Sequence, residues 1–181
     1  MIYTKDNLKF YLAQDLKRLW KKPTIIDLLL NNEIWYIHQY LVALRMVEYY
    51  LNRKGKSLFF FLWWIRYKRL GFKLHYTIYP NTCGPGLVVF HVGDFVHVKP
   101  TCRIGSNCTL RPGVVIGKKY QGEEPTDTII GNNVDFGLGV KVFGQITIGD
   151  NVSIGANAVV TKSIPNNAVV VGIPAKVIKF K

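Results

Sequence analysis

The chain has 181 residues, 49% hydrophobic and 19% charged, with 16 Gly and 3 Cys. That is enough for one domain with an ordinary core and a small appendage, and it excludes a disordered chain, a collagen repeat and a disulfide scaffold. The net charge of +13 is lopsided, with 14 basic and 5 acidic residues up to Lys73 against 10 and 6 beyond it, an asymmetry that suits nucleic acid, anionic lipid or a phosphorylated ligand without choosing among them.

The start of the chain shows no basic stretch followed by an apolar core and a small-residue cleavage site, and three thiols suit a reducing compartment, so a cytoplasmic location is expected. The longest apolar run, 58–65, falls well short of the roughly 20 residues that span a bilayer. Leu8, Leu12, Leu16 and Leu19 recur at helical spacing over 6–20, and Pro23 closes that helix. A short apolar piece, 25–30, precedes a longer helix over 33–53. A turn at 53–56 leads to a fourth helix over 57–70, with Gly71 as its breaker. Residues 1–74 therefore form an N-terminal helical region.

Beyond about Tyr79 the helical period disappears and aliphatic side chains recur every sixth position, within a domain taken as 75–181. Val92, Val98, Ile104, Leu110 and Ile116 form one row, which Ile130, Phe136, Val142, Ile148, Ile154 and Val160 resume. A second track in phase with it runs through Val96, Cys102, Cys108, Val114, Val134, Val140, Ile146, Val152, Ala158 and Ile164. A six-residue period marks a parallel β-helix whose coil turns a corner every six residues, so that three hexads close a triangular prism with Gly or Asn at the corners. About five coils fit between 75 and 165. The phase slips between Ile116 and Ile130, which places a protruding polar loop at 118–128, a usual location for a ligand-covering segment.

The stretch 86–93 carrying His91, the hexads 130–134 and 155–160, and the closing run 172–178 (Gly-Ile-Pro-Ala-Lys-Val-Ile) together resemble the hexapeptide-repeat acyltransferases. The resemblance is to serine acetyltransferases and to their relatives that O-acetylate sugars in capsule and exopolysaccharide synthesis. It implies a mainly β fold, a left-handed parallel β-helix over 75–181 behind the helices, although parallel crossovers are ordinarily right-handed. It further implies acetyl-CoA as co-substrate with no metal, and a homotrimer or dimer of trimers.

In that family His91 would be the general base. Imidazole titrates near neutrality and can take the proton of an attacking hydroxyl, a role typically contributing about 10² to 10⁴ in rate. Gly137, Gly139, Ala156 and Ala158 would line the groove for the pantetheine arm, with Lys162 and Lys176 as candidate phosphate partners. Asp94 and Asp127 are candidates for the acceptor. The chain departs from the serine-specific pattern at three places: Phe90 stands where an Asp precedes the catalytic His, Thr126-Asp127 replaces an Arg-His pair, and Thr77 replaces the acid that orients the imidazole. Asp94, Asp127, Tyr79 and a main-chain carbonyl all stay open as the orienting group.

Acetyl transfer to a sugar hydroxyl, on a small or lipid-linked acceptor, is therefore the expected function, with serine O-acetylation as the alternative and a non-catalytic binding module behind both. His97 is expected to be a surface histidine. Cys102 and Cys108 read as interior residues, and Cys83 has no basic neighbour to activate it. A zinc-dependent anhydrase on the same prism needs a third histidine within the repeats. No nucleic-acid motif is present. The basic and apolar residues of 58–73 suit peripheral contact with an anionic membrane or packing against neighbouring helices.

Overall fold

A computed structural model describes residues 1–53, 57–120 and 127–181. Four helices come first: α1 (Lys5–Arg18), α2 (Ile25–Leu29), α3 (Glu33–Leu51) and α4 (Leu58–Leu74). Their starts follow local chemistry. The Thr4 side chain accepts from Asn7 N, Thr24 and Asp27 form a reciprocal capping box, and Ser57 accepts from Phe60 N, each satisfying an amide that the helix itself leaves unpaired.

Gly71 does not end the fourth helix, as its sequence position suggests; α4 continues to Leu74 and closes on His75 in the left-handed conformation. The glycine is there for space. A Cβ at 71 would lie 2.7 Å from the Tyr76 carbonyl oxygen, so Gly71 lets α4 pack directly on the first strand.

The strands then wind coil by coil. The first coil holds β1 (Tyr76–Ile78) and β2 (Val88–Val89), and the second β3 (Val96–Val98), β4 (Cys102–Ile104) and β5 (Thr109–Leu110). The third holds β6 (Val115–Gly117), β7 (Thr128–Ile130) and β8 (Asp135–Phe136), and the fourth β9 (Lys141–Phe143), β10 (Thr147–Ile148) and β11 (Ser153–Ile154). The fifth has β12 (Val159–Val160) and β13 (Ala168–Val171), after which β14 (Lys176–Phe180) turns back antiparallel onto β13. Among the described residues these make three parallel faces: β1-β3-β6-β9-β12, then β4-β7-β10, then β2-β5-β8-β11-β13. Isolated bridges Cys83–Ile104 and Ile148–Ile164 extend the second face at both ends.

Both six-residue tracks fill the prism. Every member from Val96 to Ile164 is buried, Leu110, Ile116, Phe136, Val142 and Ile148 completely. Val92 is the exception: it is exposed, because Val89, which pairs with Leu110 and belongs to the core, takes the row's place on the first coil. Asn107, Asn133, Asn151, Asn157 and Asn167 take positive φ at the corners, a conformation whose cost their short amide side chains reduce.

A buried ionic cluster locks the helices onto the first coil. Arg45, fully buried, donates from Nε to Asp15 Oδ2 (2.7 Å) and from Nη1 to Glu48 Oε2 (2.9 Å), and also to the carbonyls of Cys83 and Gly84. Asp15 Oδ1 in turn accepts from Gly86 N and Leu87 N, and Glu48 Oε1 from Asn81 N. Burial alone pulls the Arg45 guanidinium toward its neutral form, but Glu48 and Asp15 outweigh it and hold its pKa above the usual range. The cluster fixes the backbone two residues before β2, and β2 leads directly to Phe90 and His91.

Candidate active site

The edge where the third face turns into the first collects most of the residues singled out from the sequence. His91 and Asp94 lie between β2 and β3, Gly137 and Gly139 between β8 and β9, Ala156 and Ala158 between β11 and β12, and Lys176 just past the turn from β13. Successive coils are stitched along this edge by Gly139 N to Pro112 O (2.9 Å) and Asn157 N to Leu138 O (2.7 Å). A Cβ on Gly139 would meet Asn157 Oδ1 at 2.2 Å, so the glycine here serves coil stacking. Ala158 is fully buried and belongs to the interior track, not to a groove surface; Ala156 and Lys176 are exposed.

Asp127 and Lys162 sit elsewhere. Both lie on the edge between the first and second faces, Asp127 immediately before β7 and Lys162 after β12, so one chain alone does not bring them to His91. Residues 121–126, most of the protruding loop expected at 118–128 and with it Thr126, lie outside the described residues.

His91 adopts φ +55 and its ring stands out from the corner. Its Nδ1 lies 2.6 Å from Glu33 Oε1, while Glu33 Oε2 accepts from Val92 N at 2.9 Å. The Tyr76 hydroxyl donates to the His91 carbonyl (2.6 Å). Burial, then the nearby Glu33 charge, raises the Tyr76 phenol above its ordinary value, which keeps that donor protonated. Trp20 stacks on Phe90 with centroids 5.0 Å apart and lies 5.6 Å from the His91 ring, and the Arg111 guanidinium lies over Phe90 at 5.6 Å.

None of the groups left open for the imidazole is its partner. Asp94 Oδ1 accepts from Phe95 N, and its other oxygen points to Gly113, 3.1 Å from where a Cβ would stand. Tyr79 packs edge-on against His97, which also stacks on Phe95. Thr77 pairs in register with His97 on the first face. The partner is a carboxylate from the first turn of α3, 58 residues earlier in the chain; with no periodicity linking the two segments, only packing of the helices on the first coil brings them together.

Trp20 was missed for the same reason. Lys141 was missed too: its ammonium donates to Gly139 O (3.0 Å) and to Gly113 O, so a cation does lie on the His91 edge. His97 is half-buried, and burial lowers its pKa. Cys83, Cys102 and Cys108 are free and buried; burial pushes the Cys83 thiol up to about 12 and Cys108 to about 11, and moves Cys102 further in the same direction. Thiolate chemistry is disfavoured at all three. Among the described residues no group of three or more His, Cys, Asp or Glu is placed to hold a metal ion, and no helix is long and apolar enough to cross a membrane.

The prism and its edge place the chain in a defined structural class. Residues 90–118 match the model of the bacterial transferase hexapeptide (six repeats) family. The fold matches soybean serine acetyltransferase apoenzyme with a TM-score of 0.73 at 23% identity, covering 96% of this chain and 70% of that one. It also matches Brucella abortus serine acetyltransferase in complex with coenzyme A with a TM-score of 0.74 at 22% identity, covering 98% and 70%. These likenesses establish the architecture expected from the repeats, a left-handed β-helix behind N-terminal helices.

In sequence the chain is similar to the serine acetyltransferase of Staphylococcus xylosus, 46% identical over 98 residues that make up 53% of this chain and 44% of that protein. It is 44% identical over 98 residues to the serine acetyltransferase of Staphylococcus aureus. The chain is thus similar to serine acetyltransferases over its hexapeptide repeats, and it spans less than half the length of these curated relatives.

Proposed function

We propose that the protein is an acetyl-CoA-dependent O-acetyltransferase with His91 as its general base. The observation that carries the reading is an imidazole held by one nitrogen at a prism edge, with the other nitrogen left to face an acceptor. Nε2 takes the proton of the acceptor hydroxyl as its oxygen attacks the thioester carbonyl carbon. The C–S bond then breaks, and the imidazolium returns the proton to the departing thiolate. A bound hydroxyl and thioester need no acyl-enzyme for this transfer. The structure of a neighbouring fold with coenzyme A bound supports the choice of acyl donor.

For the acceptor, the named relatives support L-serine, the runner-up in the sequence reading, better than a sugar. The sugar reading stays as a second one on one observation: the position before His91 carries Phe90 stacked on Trp20, an aromatic surface that suits the C–H face of a pyranose.

The pantetheine groove is proposed along Gly137, Gly139 and Ala156 at an interface between prisms, where Asp127 and Lys162 of a neighbouring chain would complete the His91 edge. A homotrimer, alone or doubled, is part of this proposal. So are a cytoplasmic location and a peripheral contact with an anionic membrane, or with a lipid-linked acceptor, through α4, whose Leu58, Leu62, Ile65 and Phe72 are exposed beside Arg66, Lys68, Arg69 and Lys73.

The test is release of CoA from acetyl-CoA with L-serine and with a panel of free and nucleotide-linked sugars. Turnover with either acceptor class, lost by at least about 10²-fold in His91→Ala, supports the reading and decides the acceptor. Absence of CoA release with every hydroxyl, or a fully active His91→Ala protein, overturns it.

A further inference from the structure

We infer that Glu33 is the positioning residue of the reaction: its carboxylate holds His91 as the Nδ1-protonated tautomer and leaves Nε2 free to act as the base. This rests on the function proposed above and assigns the orienting role to the helical region, not to the coil.

Three observations carry it. First, both carboxylate oxygens engage the same corner, Oε1 on the ring at 2.6 Å and Oε2 on the amide of the next residue, Val92, at 2.9 Å. The carboxylate therefore fixes the ring and the main chain that carries it in one frame. In a neutral imidazole one nitrogen donates and the other accepts, and the hydrogen bond made by one selects the state of the other. A carboxylate can only accept, so Nδ1 keeps the proton and Nε2 presents its lone pair.

Second, Glu33 is the first residue of the 19-residue helix α3. No side chain caps that helix end through Asn32, and an acidic side chain in the first turn suits the partial positive charge at that end. Third, the rest of the corner is held independently. Tyr76 bonds the His91 carbonyl, and Trp20 lies beside the ring. The imidazole thus has one nitrogen held by Glu33 and the other free. The mechanism needs such a holder, and Thr77, where the resemblance expects an acid, supplies no carboxylate.

The competing role for Glu33 is a plain staple between α3 and the first coil. Glu33→Gln separates the two. Its amide carbonyl can still accept from Val92 N, but its NH₂ can donate to an unprotonated Nδ1 and so stabilise the opposite tautomer. The expected result is a kcat lower by about 10²-fold or more, as when the acid behind a catalytic imidazole is neutralised. The KM for acetyl-CoA should change by less than about threefold, with an unchanged unfolding midpoint. In ¹⁵N spectra of the imidazoles, assigned with His91→Gln, the His91 signals should move from the Nδ1-protonated pattern toward the Nε2-protonated one.

A Glu33→Gln protein with kcat within about twofold of the parent and an unmoved tautomer pattern overturns the inference while leaving the proposed function standing. Should the parent transfer no acetyl group to any acceptor, the proposed function fails, and the tautomer comparison alone still decides what Glu33 does to His91.

Discussion

Trp20, just past the end of α1, lies face to face with Phe90 on the first coil, ring centroids 5.0 Å apart and planes 17° from parallel. The pair covers the side of His91 where the serine-specific pattern places an acid. If this surface receives the acceptor, Trp20→Ala raises the acceptor KM by about 5- to 10-fold, the order of one aromatic contact, and leaves the KM for acetyl-CoA unchanged. Initial-rate kinetics with both substrates varied checks it; equal effects on both constants would mean a disturbed fold.

Arg45 is the fully buried partner of two buried carboxylates. Arg45→Met leaves Asp15 and Glu48 buried without a counter-charge, and the expected loss is about 3–5 kcal/mol of unfolding free energy. Guanidinium denaturation of the parent and the variant measures it. Because Asp15 also holds Gly86 and Leu87, the variant should lose activity along with stability.

Asp27 accepts from Lys21 Nζ, Thr24 and Asn32, and these bonds, the lysine's first, hold its carboxyl well below the ordinary carboxylate range. A depressed folded-state value means that the stabilisation is fully present above the unfolded-state value of about 3.9 and disappears as pH falls below it. Asp27→Asn should therefore unfold at lower urea than the parent at pH 7, and the gap should narrow as the pH is taken from about 5 to 2.5.

The three cysteines are buried with thiols raised by burial. Native protein at pH 8 should react with Ellman's reagent at well under one thiol per chain within minutes, and at all three after denaturation. Rapid labelling of folded protein would show that the prism interior opens readily.

A Cβ on Gly105 would fall 2.7 Å from the Gly131 carbonyl carbon and oxygen and 2.6 Å from Asn132 Oδ1. Backbone of the next coil cannot yield as a side-chain tip can, so Gly105→Ala should lower the unfolding free energy by about 1–3 kcal/mol, read from the thermal midpoint. Gly93, whose added Cβ meets nothing within 4 Å, has no such clash to relieve.

The architecture was readable from the chain because it is local and repeated. Each hexad spends the same positions on the interior, so Ile104, Leu110 and Ile116 announce the prism without reference to anything distant in sequence, and Asn at the corners confirms the turns. Departures came where two segments meet. Val92 keeps the six-residue period yet is exposed, because Val89 pairs with Leu110 and takes the row's place on the first coil, and Gly71 lies inside a helix where Tyr76 approaches it closely.

The site divides along the same line. The candidacy of His91, and of Gly137, Gly139 and Ala156 with it, came from the resemblance to the hexapeptide-repeat acyltransferases, and the structure puts them on one edge. What holds the imidazole did not come from it. Glu33 and Trp20 belong to segments with helical periodicity, which says which face of a helix is apolar and nothing about which corner of a prism its ends will touch. Period and composition are properties of neighbours along the chain, and they sufficed for the column; its histidine was singled out by the resemblance of the residues around it. The carboxylate behind that histidine and the tryptophan beside it depend on how the buried Arg45 cluster seats one region on the other, and three-dimensional packing alone decides that.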